Sequence, residues 1–282
     1  MQPIVNVGGI TIGEGTELTL IAGPCVIESA DAVMATAAFL KDLTDELHLP
    51  FVFKTSYDKA NRTSLESYRG PGILKGLEVI ARIKEKLDIP VLSDVHRFSE
   101  IGPAAEVLDI IQIPAFLCRQ TDFVTAVAET GKPINIKKGQ FLAPWDIEHA
   151  VLKVTSTGNQ QVLLTERGVS FGYNNLVVDF RSLAIMRGLG RPVIFDATHS
   201  VQLPGGLGQS SGGQRQFVPV LARAATAAGV DGLFMEVHKD PDKALCDGPN
   251  ALALQDLKAL LEQVLAIRHA LDAQKKGEGG TS

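Results

Sequence analysis

The chain has 282 residues, 45% of them hydrophobic, enough for one large core, and no interior Pro/Gly/Ser-rich linker divides it. Its formal net charge is −5 and its Lys and Arg residues form no long runs, which argues against a nucleic-acid footprint. No apolar run approaches the roughly 18 residues of a membrane span, and the start "MQPIVNVGGITIGEG" has neither a basic n-region nor an apolar h-region. A soluble cytoplasmic protein without a membrane partner is therefore expected. Three cysteines, Cys25, Cys118 and Cys246, are too few and of the wrong parity for a disulfide framework and suit a reducing compartment.

In chain order, "IVNVGGITI" (4–12) alternates about Gly8-Gly9, which predicts a β-hairpin closing the N-terminal end of the core. Eight short apolar runs rich in β-branched residues follow: "LTLIA" (18–22), "FVFK" (51–54), "PVLSD" (90–94), "IIQI" (110–113), "INIK" (134–137), "QVLLT" (161–165), "PVIFD" (192–196) and "GLFME" (232–236). Helical periodicity fills 31–48, 72–87, 100–107, 120–130, 144–157, 179–186, 212–228 and 254–274. Strand and helix alternating eight times predict an α/β fold, a single (β/α)8 TIM barrel domain over 1–282 with the barrel at about 18–274. A doubly wound open sheet is the alternative. The tail 275–282, "KKGEGGTS", is polar and glycine-rich and is expected to be flexible.

In such a barrel the chemistry sits where strands run out into the following loops. At those ends stand Cys25, Lys54, Asp94, Gln112 with Arg119 further on, Lys137, Arg167, His199 and Glu236. One polar residue after a strand is ordinary, because loops are polar. A polar group at every one of the eight ends is a set, and the set is what carries meaning. Lys54, Lys59, Arg62, Lys137 and Arg167 would put a basic mouth on an acidic chain, which suits a small polyanion such as one or two phosphates.

A second group is Cys25, His199, Glu236 and Asp247. Closure of a barrel makes the eighth and first strands neighbours, so one thiol, one imidazole and two carboxylates could meet around a divalent ion. By ligand type zinc, iron, manganese and cobalt are all admissible. No CxxC or HxxxH spacing supports the group by itself. Cys118 and Cys246 show no such constellation, and Cys118 reads as a small buried hydrophobe. "SYRGPGI" (67–73) and "PGGLGQSSGGQRQ" (204–216) lack the strand–GxGxxG–helix context of a dinucleotide site and read as loops, mobile enough to close over a ligand.

"FKTSYDKANRTS", "SYRGPG", "SDVH", "IIQIPAFLCRQTD", "INIKKGQF", "RGVSFGYNNLVVD", "VIFDATHSVQ" and "CDGPNALAL" together resemble the 3-deoxy-D-manno-octulosonate 8-phosphate synthases, in register over about residues 18–260. The resemblance implies a barrel-shaped homotetramer, a transferase of lipopolysaccharide biosynthesis that condenses phosphoenolpyruvate with D-arabinose 5-phosphate and water. It assigns Lys54, Ser56, Lys59, Gln112, Pro114, Ala115, Lys137, Gln140, Arg167 and His199 to phosphoenolpyruvate. It assigns Asn61, Arg62, Thr63 and Asp94 to the sugar phosphate, with Arg119 reaching in from a neighbouring subunit. Lys59, Asp94, Lys137 and His199 would carry catalysis. Thr63 stands where the family also uses serine and keeps the hydroxyl.

Members of this family with asparagine at the position of Cys25 work without metal. "GPC" therefore implies the metal-dependent class, with Cys25, His199, Glu236 and Asp247 as ligands. Two alternatives stay open. A related synthase condenses phosphoenolpyruvate with erythrose 4-phosphate, and "KANRTS" is the feature that favours the five-carbon sugar. A non-catalytic phosphosugar-binding barrel is the other.

Overall fold

The structure, a computed structural model, describes residues 4–206 and 211–278. Val5–Val7 (β1) pairs antiparallel with Ile10–Ile12 (β2). Gly8 and Gly9 turn between them at φ 50° and 83°, the left-handed region that a two-residue hairpin turn requires at both positions. Strand and helix then alternate through Thr19–Gly23 (β3), Ala30–Glu46 (α1), Phe51–Lys54 (β4), Ile73–Leu87 (α2), Val91–Asp94 (β5) and Phe98–Val107 (α3). The alternation continues with Ile110–Ile113 (β6), Thr121–Ala128 (α4), Ile134–Lys137 (β7), Glu148–Thr155 (α5) and Val162–Glu166 (β8). A small hairpin of Val169–Ser170 (β9) and Leu176–Val177 (β10) precedes Arg181–Gly188 (α6) and Val193–Asp196 (β11). Gln202–Leu203 (β12) pairs with Gly212–Gly213 (β13), and Val218–Ala227 (α7), Gly232–His238 (β14), Leu252–Ala253 (β15) and Leu254–Glu278 (α8) complete the chain.

Eight strands form one parallel sheet in the order β3-β4-β5-β6-β7-β8-β11-β14, and β14 pairs back onto β3. That last pairing closes the barrel and excludes the open-sheet alternative. Parallel neighbours cannot be joined by a tight turn, so each connection needs a crossover segment, which the helices supply.

Side chains alternate across each strand, and the two faces bury different partners. Outward residues such as Leu20, Phe53, Ile111, Leu164 and Met235 share one apolar cluster with Leu40, Ile80, Val124, Val154 and Leu261 of the surrounding helices. Inward residues Ile21, Val52, Leu92, Ile110, Leu163, Ile194 and Phe234 form a separate cluster with Val5, Val7 and Ile12. The N-terminal hairpin thus seals one end of the barrel with three buried aliphatic side chains, each worth about 1.5–3 kcal/mol of burial. The other end is left for polar chemistry.

Several expected boundaries differ: the helix expected over 144–157 forms over Glu148–Thr155, and the one expected from residue 100 starts at Phe98. The helix expected from residue 212 starts at Val218, because Gly212–Gly213 pairs with β12 and Pro219 suits only the first turn of a helix. The final helix runs to Glu278, four residues into the segment expected to be flexible. The remainder of that tail and residues 207–210 of the glycine-rich loop lie outside the described residues. No helix among the described residues is long and apolar enough to cross a membrane.

Candidate active site

Strand alternation decides which side chains reach the open end. Two residues past five of the inward apolar positions stands a polar residue of the mouth: Val52 leads to Lys54, Leu92 to Asp94, Ile110 to Gln112, Ile194 to Asp196 and Phe234 to Glu236. A period of two keeps both members of each pair on the inner face. These five polar residues, with Lys137, Arg167 and the loops that follow the strands, line a cavity of about 460 Å³. On the first strand the same step leads from Ile21 through Gly23 to Cys25. Only glycine fits at position 23, where a Cβ would lie 1.9 Å from the Lys54 carbonyl oxygen.

Of the sequence-predicted residues, Lys54, Lys59, Asn61, Arg62, Thr63, Asp94, Gln112, Pro114, Ala115, Lys137, Gln140, Arg167, His199, Glu236 and Asp247 line the cavity. Three do not. Ser56 is fully buried behind it and donates to Asp94 at 2.9 Å. Cys25 is buried against the Asp247 side of the wall. Arg119 is exposed and lies outside the cavity of its own chain. The structure adds Asp196, His96, Gln202 and Cys246 to the lining. Asp196 follows the same alternation that selects Lys54 and Asp94, and it stands three residues before His199. Gln202 and Cys246 carry no signal of their own.

The mouth is not simply basic: five Lys and Arg residues face four carboxylates. Lys54 Nζ donates to Glu236 Oε1 at 2.6 Å and to the Cys25 carbonyl at 3.2 Å, and Lys59 Nζ lies 3.4 Å from the same glutamate oxygen. Lys137 Nζ is 2.5 Å from Asp196 Oδ2 and 3.2 Å from the centre of the Phe234 ring. Burial pulls Lys137 down to about 8 although Asp196 draws it the other way. Arg167 Nη2 donates to Gln202 at 3.0 Å, whereas its Nη1, like Gln140 Oε1, is buried without a hydrogen-bond partner among the described residues. Unpaired buried polar atoms on a cavity wall are where a polar ligand gains most.

Asp94 is held well below the usual carboxylate range. Burial opposes this, but Lys59, the His96 imidazole at 3.6 Å and Lys54 together prevail. His96 in turn sits 3.7 Å from Glu100, which also accepts from its backbone N–H at 2.9 Å.

Asp247 belongs to two groups whose ligand atoms all lie within 4.8 Å of one another: His199, Glu236 and Asp247, and Cys25, Cys246 and Asp247. Cys25 Sγ is 3.4 Å from Asp247 Oδ2, and His199 Nε2 is 3.7 Å from Glu236 Oε2 and 3.8 Å from Asp247 Oδ2. Glu236 Oε2 is buried with no hydrogen-bond partner among the described residues. Such an orphaned carboxylate oxygen, beside a thiol, an imidazole nitrogen and a second carboxylate, fits a divalent cation. Burial pushes the Cys25 thiol well above its ordinary value, and a bound cation would reverse that. Cys246, without a constellation in the sequence, completes the second group and accepts from Arg62 Nη1 at 2.9 Å. Cys118 is fully buried in the apolar cluster, as expected.

The model of the DAHP synthetase I family matches residues 2–273. A 2-dehydro-3-deoxyphosphooctonate aldolase of Desulfosudis oleivorans is 64% identical over 275 residues, covering 97% of this chain and 99% of its own. The enzymes of that name from Desulfatibacillum aliphaticivorans and Pelobacter propionicus are 61% and 62% identical, over 93% of this chain and 96% and 97% of their own. A closed barrel, a cavity lined by most of the residues those motifs predict, and identity over nearly the whole chain agree, and the chain belongs to the DAHP synthetase I family, among its 2-dehydro-3-deoxyphosphooctonate aldolases.

Proposed function

We propose that this enzyme condenses phosphoenolpyruvate with D-arabinose 5-phosphate and water to give 3-deoxy-D-manno-octulosonate 8-phosphate and inorganic phosphate. The observation that carries the reading is Nη1 of Arg167, without a hydrogen-bond partner among the described residues, in a cavity also lined by Lys137 and Gln140. Those groups suit the phosphate and carboxylate of phosphoenolpyruvate. Asn61, Arg62 and Thr63 of "KANRTS" line the same cavity and suit a sugar phosphate. The names of the relatives point to the same product.

In the reaction, C3 of phosphoenolpyruvate bonds to the aldehyde carbon of the sugar as the electrons of its double bond move. The water oxygen adds to C2, and the C2–O bond to phosphate then breaks. Lys137 and Arg167 hold the anionic groups in fixed positions, so little reorganisation is needed as charge moves. Asp94, ionised and anchored by Ser56 and Gln112, accepts from a sugar hydroxyl and orients the chain. A divalent ion held by Cys25, His199, Glu236 and Asp247, whether zinc, iron, manganese or cobalt, would supply Lewis-acid polarisation of an oxygen at that wall.

Arg119 is exposed and away from its own cavity, consistent with reaching a neighbour's sugar phosphate in a homotetramer. The reading places the enzyme in the cytoplasm, in lipopolysaccharide biosynthesis.

Phosphate release from phosphoenolpyruvate with each sugar is the test. Turnover with arabinose 5-phosphate well above that with erythrose 4-phosphate is expected. Equal or reversed turnover would overturn the sugar assignment, and release with neither would return the chain to a binding role.

A further inference from the structure

Four barrel strands and the loop after β4 contribute one continuous row of hydrogen bonds. Thr165 Oγ1 donates to Asn135 Oδ1 at 2.6 Å, Asn135 Nδ2 to Gln112 Oε1 at 2.9 Å, and Gln112 Nε2 to Asp94 Oδ1 at 3.2 Å. Ser56 Oγ donates to the same Asp94 oxygen at 2.9 Å. Thr165 and Asn135 are fully buried and do not line the cavity, whereas Gln112 and Asp94 do. Each hidden member stands two residues before a cavity cation, Asn135 before Lys137 at the end of β7 and Thr165 before Arg167 just past the end of β8.

The direction of this row is forced from one end. A carboxylate only accepts, so Gln112 must turn its NH2 toward Asp94 and its carbonyl toward Asn135. Asn135 then must offer its own NH2 to Gln112, which leaves its carbonyl for a donor. Thr165 is that donor, and being a hydroxyl it can play the part. A flip at any link would set two carbonyl-type oxygens, or two N–H groups, against each other in a buried layer. Gln112 uses one of its two amide hydrogens on Asp94, so the second remains a donor at the cavity wall.

We infer that Asn135 and Thr165, which reach no cavity surface, are positioning residues that lock the amide orientation of Gln112, and through it the placement of Asp94, for the proposed condensation. The inference rests on that reading for its substrates but not for its geometry. Thr165 acts at a distance of two hydrogen-bonded neighbours, so its effect must pass through Gln112.

The test is a double-mutant cycle on full-length enzyme, read as kcat/KM in the phosphate-release assay with whichever of the two sugar phosphates turns over. Thr165→Val keeps shape and removes the donor, and we expect about a tenfold loss. Thr165→Ser keeps the hydroxyl and should stay within about threefold of wild type. In a Gln112→Met background, where no amide is left to orient, Thr165→Val should cost less than about twofold. Losses that add in the double variant, an equal loss in Thr165→Ser, or no loss in Thr165→Val would overturn the inference. Should Thr165→Val not fold, Asn135→Ser in the same two backgrounds gives the same readout. A switch of preferred sugar would overturn the substrate assignment and leave the cycle readable, so the two failures differ.

Discussion

Asp196 accepts from Nδ1 of His199 at 2.8 Å, and this contact leaves Nε2 of the same ring facing Glu236 and Asp247. A carboxylate on one imidazole nitrogen fixes the tautomer and raises the basicity of the other. Loss of such a partner weakens metal affinity by about ten- to a hundredfold. Asp196→Asn is therefore expected to hold a divalent ion that much more weakly, measured as metal content after dialysis against a series of fixed free-ion concentrations. Unchanged affinity would mean that packing on Phe234, 5.9 Å from the ring, is enough to orient it.

Cys25 separates two modes of action. Strong chelation should abolish turnover, and a divalent ion added back should restore it. Cys25→Ala should lose both metal and most activity, because three remaining donors hold the ion more weakly. Cys25→Asn should show lower but chelator-resistant activity. Full activity in metal-stripped wild-type enzyme, verified by elemental analysis, would refute the metal assignment while leaving the condensation standing.

Arg62 has a buried Nε without a hydrogen-bond partner among the described residues, while its Nη1 touches Cys246. If that free Nε–H meets the sugar phosphate, Arg62→Ala should lose about 2 kcal/mol, or roughly thirtyfold in the KM for arabinose 5-phosphate, with the KM for phosphoenolpyruvate little changed. Equal shifts in both constants would mean that Arg62 serves the Cys246–Asp247 wall. No shift would place the phosphate elsewhere.

The His96–Glu100 pair predicts a pH dependence of stability. Burial would lower His96, but Asp94 and Glu100 raise it from 6.5 to about 9. Burial would raise Glu100, but His96 and its backbone N–H, with Tyr57, lower it from 4.5 to about 2. The histidine's contribution is whole below pH 6.5 and is lost as pH rises through 9. The glutamate's is whole above pH 4.5 and is lost as pH falls through 2. Both are complete between those inner limits. His96→Gln should therefore be less stable than wild type at pH 6, by at most ~3 kcal/mol, and the gap should close by about pH 10. Urea unfolding at a series of pH values reads this directly. A gap independent of pH would assign the loss to packing.

The alternation of short apolar runs with helical segments determined the barrel, and the period of two within each run determined which polar residues would share its inner face. Lys54, Asp94, Gln112 and Glu236 were legible for that reason. Their state was not. Lys54 and Glu236 stand 182 positions apart and become a 2.6 Å pair only because β14 closes onto β3. The closed barrel likewise sets most of the cations expected to form a basic mouth against carboxylates, Lys59 on Glu236, Lys137 on Asp196 and Arg62 on Asp247, while Arg167 meets Gln202 and, among the described residues, its Nη1 and Arg62 Nε have no hydrogen-bond partner. Cys246 gained its neighbours in the same way, from a loop that no periodicity describes. Local sequence can specify which face a side chain takes, because that depends on its own strand. Which partner neutralises it depends on distances between strands far apart in the chain, and only the closed tertiary structure sets those.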